Sequence, residues 1–327
     1  MADIASIDTI DIANIASVNS VATANIASIM GTGFVSGFYP TSIDKSLRFE
    51  DGGSPKLTIT TAGNGDNKTW TFSAWVKRGN LGINIGLWSS SSGASQVIGF
   101  NAANKIMFYW GAAYNLITNQ VFRDVGSWYH IVLSVDTTQV TDTDRMKLWV
   151  NGVQVTDLST MNYPIQNYTG FEFLQSANEQ GIGHYTGSWH MDGYLSEVAL
   201  IDGTAYSASD FGSFVNNVWT PKDISGLTYG TYGAHFDFAD SANLGNDING
   251  GTDWAESGIA STDQVTDSPT NNWCVLNPME YIAGTQEASE GNLKLTVATT
   301  GRTMRSTFWK SSGKWYWEAF ITGSPGP

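Results

Sequence analysis

Thr69-Trp70-Thr71-Phe72-Ser73-Ala74-Trp75-Val76-Lys77-Arg78-Gly79 is the stretch from which the fold can be read. Trp70, Phe72, Ala74 and Val76 recur at every second position, the period of a strand with one face on a core. Moving outward, Leu57 to Thr61 alternates in the same way, and Trp128 to Val135 reads as another strand. Met146 to Val155 reads as a hairpin, because Asn151-Gly152 supplies the two positive-φ positions of a type I′ turn. Gly181 to His184 and Gly193 to Ile201 close the series. Turn signals recur about every eight to twelve residues, and no segment sustains a 3.6-residue period. Residues 46–215 are therefore expected to form an all-β sandwich of the jelly-roll type, preceded by a linker over 31–45.

Composition agrees. The 327 residues are 13% aromatic and only 14% charged, which favours a packed β protein over a disordered one. A net charge of −14 repels phosphate backbones and anionic lipid, so neither nucleic acid nor a membrane surface is expected as partner. No apolar run reaches the ~18 residues of a membrane span. Cys274 is the single cysteine, so stability has to come from packing. Charge is segregated near the end. Residues 216–290 form an acidic, loop-rich extension, with strands expected at 233–238 and 273–276, and 223–293 hold eleven Asp or Glu and no Lys or Arg. Lys294, Arg302, Arg305, Lys310 and Lys314 follow. A fresh strand pattern starts at 291, with Leu293 to Val297 and Lys314-Trp315-Tyr316-Trp317-Glu318-Ala319-Phe320.

The N-terminus repeats. Asp3-Ile4-Ala5-Ser6-Ile7 returns as Asn14-Ile15-Ala16-Ser17-Val18 and as Asn25-Ile26-Ala27-Ser28-Ile29, a period of eleven. Eleven residues suit three helical turns, yet Ile, Val, Thr, Ser, Asn and Asp are weak helix formers, so helical and β-wound stalks both stay open. A thin segment cannot bury its own stripe. Ile4, Ile7, Ile10, Ile15, Val18, Val21, Ile26 and Ile29 are the candidate oligomerisation residues of segment 1–30, with a homotrimer as the expected assembly. The first thirty residues carry no Lys or Arg, unlike a secretory or transit leader.

Several of these segments resemble one family. Ser46-Leu47-Arg48-Phe49 and Thr69 to Gly79 are similar to the opening of laminin-G-like, concanavalin A-like jelly rolls, most closely those of bacteriophage structural proteins. Ser127-Trp128-Tyr129-His130-Ile131-Val132-Leu133, the hairpin Lys147 to Gly152, and Ile182-Gly183 with Met191 to Val198 resemble its later strands, in order. Phe236 to Gly250 and Asp263 to Asn272 resemble the linker that follows it in phage fibre proteins. Ser312-Gly313-Lys314-Trp315-Tyr316-Trp317-Glu318 resembles the start of a SPRY domain, which would need more residues than 291–327. The resemblance implies a carbohydrate-binding module on a virion-surface fibre, assembled in the host cytoplasm. Its N-terminal segment would meet other virion proteins, and its jelly roll a host glycan or receptor. A purely structural spacer is the alternative.

Catalysis is not expected. Jelly-roll glucanases place paired carboxylates on one strand face through Glu-x-Asp, a pattern missing here, so a polysaccharide depolymerase is the least favoured class. Asp192 and Glu197 are five apart and read as a turn residue and a solvated one on opposite faces. His130 reads as half-buried. Sugar recognition needs a flat ring beside amides and carboxylates. Trp110, Tyr114, Tyr163, Tyr168, Tyr185 and Trp189 are the loop candidates, whereas Trp70, Trp75, Trp128 and Trp149 occupy core positions of the family. No cofactor is required. The resemblance allows a calcium ion, for which Asp237, Asp240, Asp247 and Asn249 are the oxygen donors on one loop.

Overall fold

The computed structural model describes residues 38–91, 96–110, 113–176, 178–281, 286–297, 303–314 and 316–321, together with four two-residue strands near the N-terminus. Those four pair as Ser17–Val18 with Val21–Ala22 and Ser28–Ile29 with Thr32–Gly33. Ile4, Ile7, Ile10, Ile15 and Ile26, which belong to the expected oligomerisation stripe, lie outside the described residues. The two extended pairs sit one eleven-residue repeat apart.

The strands of the body are β1 (Ser46–Phe49), β2 (Lys56–Thr60), β3 (Thr69–Arg78), β4 (Ile85–Ser91), β5 (Gln96–Phe100), β6 (Ile106–Trp110), β7 (Ala113–Thr118), β8 (Tyr129–Asp136), β9 (Met146–Val150), β10 (Val153–Gln154), β11 (Leu158–Met161), β12 (Glu179–Ile182) and β13 (Gly193–Asp202). After a single turn of helix α1 (Ala208–Phe211) come β14 (Gly212–Val215), β15 (Val218–Pro221), β16 (Ala234–Phe236), β17 (Ala255–Ser257) and β18 (Gln264–Val265). One antiparallel sheet runs β11-β7-β6-β5-β4-β12-β2-β17. The other runs β10-β9-β8-β3-β13-β1-β18, with β16 also paired to β13. The crossovers between distant strands are those of a jelly-roll sandwich, as expected from the sequence.

The expected core face of β3 is the observed one. Trp70, Phe72, Ala74 and Val76 all point into the main core. Trp70 meets Trp88, Phe108 and Phe171 edge-on at 5.4–5.8 Å, the arrangement favoured by ring quadrupoles. The β9–β10 turn has Asn151 at φ 48° and Gly152 at φ 76°, as a type I′ hairpin requires.

The opposite face of β3 is buried too. Val132, Ala199 and Ile201 pack beneath Ala208, Phe211, Ile224 and Tyr229, so the segment after β13 folds back over the second sheet. His130, expected as half-buried, is fully enclosed there. The Trp219 indole N–H donates to its Nδ1 at 3.0 Å, and its Nε2 lies 2.9 Å from Ser73 Oγ. An indole only donates, so Nδ1 is the acceptor and the proton sits on Nε2. Burial pushes the imidazole down to about 3.

The expected break at residue 215 does not divide the structure. β16, β17 and β18 belong to the two sheets, and Phe236, Phe238, Leu244 and Trp254 are core residues. The acidic segment is thus part of the sandwich, because its few apolar residues fill space that the earlier strands leave open. A buried ion pair fastens it. Lys77 Nζ donates to Asp267 Oδ2 at 2.7 Å, with the side chains 0% and 1% exposed. Lys77 also donates to Asn272 Oδ1 and to the Trp273 carbonyl, while Trp128 Nε1 and the Trp273 N–H donate to Asp267 Oδ1.

Beyond the sandwich, β19 (Leu276–Tyr281) pairs with β22 (Met304–Ser306), and β20 (Gln286–Ser289) with β21 (Lys294–Val297). The strand expected over Lys314–Phe320 does not form among the described residues. No neighbouring strand offers it hydrogen bonds there, and Tyr316, Trp317 and Phe320 stand exposed.

Candidate functional site

Three loops frame a groove of about 410 Å³ lined by Asp51, Ile83, Asn84, Trp189 and His190. The loop between β12 and β13 supplies the aromatic wall. Tyr185 and Ser188 exchange both backbone hydrogen bonds at 2.8 Å, with Thr186 at φ 46° and Gly187 at φ 69° between them. This tight turn throws Tyr185 and Trp189 together, ring centroids 4.7 Å apart, and Tyr109 approaches Tyr185 edge-on at 6.2 Å. Trp189 itself holds φ 47°, a left-handed backbone unusual for a bulky residue. Its carbonyl accepts the Gly86 N–H at 2.8 Å, anchoring the loop on β4. Beneath it His184 and His190 stack at 6.1 Å. Burial, followed by the charges of Lys56 and His190, lowers His184 to about 4.

The facing wall is the loop between β3 and β4. Arg78 is buried and donates to the Phe122 carbonyl and to Asn104 Oδ1, which also accepts the Gly82 N–H. Asn84 Oδ1 accepts the Ala102 N–H at 2.8 Å. These bonds tie the loop that presents Ile83 and Asn84 to the β5–β6 turn.

The floor at one end is acidic. Oxygens of Glu50, Asp51 and Asp192 all fall within 4.8 Å of one another. Glu50 and Asp51 are half-buried, and Asp192 is 1% exposed. Asp51 Oδ2 accepts from Asn80 Nδ2 at 2.9 Å, whereas Asp192 Oδ1 has no hydrogen-bond partner. Burial, then the charges of Glu50 and Asp51, push the Asp192 carboxyl up to about 8. Burial likewise raises Glu50. Two glycines make room. A Cβ on Gly79 would lie 1.6 Å from Asp192 Oδ1, and Gly193, at φ 128°, brings Asp192 against the end of β3.

Of the six ring candidates from the sequence, the structure brings Tyr185 and Trp189 together and places Trp110, Tyr163 and Tyr168 elsewhere. Trp110 is a correction: it is 7% exposed, lies on β6 rather than in a loop, and packs on Phe108 and Phe171. Tyr114 is the second residue of β7, in register with Tyr109, and is likewise not in a loop. Tyr163 and Tyr168 are half-buried against the main core, Tyr168 edge-on to Phe171. Tyr109 is absent from the candidates because only the Ile106, Phe108, Trp110 alternation, a weak strand signal, turns it outward.

The loop expected to hold calcium does not assemble a site. Asp237 and Asp240 accept N–H groups of Ala239 and Ala242, and Asp247 accepts those of His235 and Asn249. Among the described residues only Glu50, Asp51 and Asp192 bring three such ligand atoms together. Glu197, expected to be solvated, is half-buried on a bulge at φ 47° and lies 2.8 Å from His235 Nε2, so it shares no groove with Asp192. Trp149 is also a correction. It is half-buried rather than core, and with Tyr206, Asp136, Asp144 and Lys147 it lines a separate groove of about 370 Å³.

Residues 51–210 match the family model of the concanavalin A-like lectin/glucanases superfamily. A candidate carbohydrate-binding protein from Bacteroides ovatus superposes with a TM-score of 0.50 at 15% identity, covering 69% of this chain and 60% of that one. The chain thus spans less than two thirds of that neighbour. A heptameric SAP-like pentraxin from Limulus polyphemus gives a TM-score of 0.36 at 15% identity over 50% of this chain and 78% of that one. Tailspike protein 2 of the Escherichia coli O157:H7 bacteriophage CAB120 gives 0.35 at 16% identity over 51% and 23%. No curated protein matches the sequence. Sheet order, core and family match agree, and residues 51–210 carry the fold of the concanavalin A-like lectins and glucanases.

Proposed function

We propose that the jelly roll is a carbohydrate-binding module, and that it acts by binding rather than by catalysis. The observation that carries this reading is the half-buried Trp189, which lines the groove with Asn84, His190 and Asp51 and packs on Tyr185 across a hydrogen-bonded turn. A ring face covers the C–H side of a pyranose while amide, imidazole and carboxylate groups read its hydroxyls. The setting we infer is a virion-surface fibre of a bacteriophage. The N-terminal repeat would join copies as a trimer and contact other virion proteins. Copies on one fibre would raise weak single-site binding through effective concentration. A spacer that makes only protein contacts is the second reading, and exposed Trp309, Tyr316, Trp317 and Phe320 favour it.

Glycan-array and whole-cell binding by the full chain test the first reading. Trp189→Ala is expected to weaken binding about tenfold or more, the loss of ~1.4 kcal/mol for a central ring contact. The Trp149→Ala variant, in the other groove, is expected to bind as the parent does. If no glycan or host surface is bound, or if Trp149→Ala carries the loss instead, this assignment of the site falls.

A further inference from the structure

We propose that the groove between Trp189 and Asp51 takes a sugar bearing a free amine, held as its ammonium ion, and rejects sugars bearing carboxylates. This names the substrate class of the carbohydrate-binding reading and rests on it. The lining offers one carboxylate, one amide, one imidazole and one indole, with neither Lys nor Arg among its side chains. Its volume of about 410 Å³ lies in the range of small-ligand sites, ~300–1,000 Å³.

Two independent features ask for a cation. The first is the indole. The face of a Trp ring carries the negative pole of a quadrupole and is the best aromatic partner for an ammonium. Among the described residues, side-chain cations lie over Tyr194, Phe100 and Trp309, and none over Trp189. Packing on Tyr185, at 4.7 Å and 38°, fixes the plane in which Trp189 is presented.

The second is the charge at the groove's end. Asp51 brings its carboxylate into the lining, and oxygens of Glu50 and Asp192 stand within 4.8 Å of it and of each other. Burial and then the Asp51 charge push the Glu50 carboxyl up, as burial and then the Glu50 and Asp51 charges push up Asp192. The donors that reach these groups include the Asn80 N–H, which serves the Asp192 carboxyl, and Asn80 Nδ2, which serves Asp51. Both are neutral and leave the charge uncancelled.

The nearby cations are committed elsewhere. Arg48 Nη2 lies 2.8 Å from Asp263 and 3.0 Å from Glu290. Arg78 is buried on the Phe122 carbonyl and Asn104. Lys56, whose charge reaches His184, does not line the groove. A sugar hydroxyl would give Asp51 one neutral donor, whereas an ammonium brings three donors and a positive charge to the same place. A sugar carboxylate would add negative charge where no lining cation meets it.

The test is calorimetric titration of the full chain at about pH 7, where primary amines are mostly protonated, with EDTA present so that the carboxylates keep their own charge. The probes are a glucosamine oligomer, the same oligomer N-acetylated, and an oligogalacturonate. Expected is tightest binding by the glucosamine oligomer, about tenfold over its acetylated form, and weakest binding by the oligogalacturonate. Asp51→Asn keeps an acceptor for Asn80 Nδ2 but loses the charge, and is expected to bring that ratio near parity. Trp189→Ala is expected to weaken the glucosamine oligomer about tenfold. Asp237→Asn removes the same charge from another loop and is expected to keep the ratio. No saturable binding of the glucosamine oligomer overturns the proposal, as does an oligogalacturonate that binds as tightly. So does a ratio that survives Asp51→Asn, or glucosamine binding indifferent to Trp189→Ala, which would mark attraction to the acidic body at large. If both glucosamine forms bind equally and both depend on Trp189, this inference fails and the carbohydrate reading stands. If no glycan of any charge binds, the reading itself falls.

Discussion

Replacing Asp267 with alanine is expected to cost the folded chain about 3–5 kcal/mol, measured by urea unfolding at neutral pH. The change strands the Lys77 ammonium, which is 0% exposed and, among the described residues, has no second carboxylate at ion-pair distance. Burial already lowers the Lys77 amine, and the charge and hydrogen bond of Asp267 are what oppose this. Trp128 Nε1 and the Trp273 N–H lose their acceptor in the same step. The consequence reaches beyond one pair, since Asp267 also accepts the Ser46 hydroxyl through its carbonyl and so ties residues 264–273 to β1 and β3. The double variant Lys77→Met/Asp267→Leu separates the worth of the pair from the cost of orphaning one member. It should recover much of the loss, because exchanging both ions for apolar groups of similar volume is often neutral or better. If Asp267→Ala costs less than about 1 kcal/mol, the clamp does not hold the C-terminal segment.

Acid should unfold the protein through His130. The imidazole is pushed from its ordinary 6.5 to about 3 by burial, the single cause acting on it. A folded value below the unfolded one means that the unfolded chain takes up a proton the native state refuses. The contribution to stability is therefore intact above 6.5 and declines as pH falls towards 3. Across that window the slope is up to ~1.4 kcal/mol per pH unit. His130→Gln retains a donor and an acceptor for Ser73 and Trp219 yet cannot titrate. It is expected to be less stable than the parent at pH 7, with the gap narrowing progressively towards pH 4. Urea unfolding at several pH values reads this directly, and curves that stay parallel for the two proteins would sink the idea.

The chain itself announces much of the sandwich. The alternation in Thr69–Val76, the Asn151-Gly152 turn and the strand Gly193–Ile201 are local signals, and each appears in the structure, the first with its expected inward face. Strands β4 to β7 are harder to read. Met107 and Phe108 are both buried, as are Val97 and Ile98, so the polar half of the alternation that marks a strand is blurred. That is why Trp110 reads as a loop residue and Tyr109 carries no signal of its own. The aromatic wall is half legible: Tyr185 and Trp189 flank Gly187 in a visible turn, while Tyr109 joins them from 76 residues away by chain number.

Thr69–Gly79 shows where local pattern ends and tertiary structure takes over. Its even positions, Trp70 to Val76, belong to the core by period alone, because a strand's geometry sends alternate side chains to one face. Its odd positions have no such assignment from the period, and the fold buries them as well. Thr71, Ser73, Trp75 and Lys77 are buried because residues 204–230 and 264–273 return over that face, bringing Trp219, Phe211 and Asp267. No local pattern encodes which distant segment will cover a strand, since that depends on which apolar surfaces remain unpaired once both sheets have formed. The same holds for Glu50, Asp51 and Asp192. Their meeting follows from the β1–β13 register and from the clearance at Gly79, and only the tertiary structure brings the three carboxyl groups together.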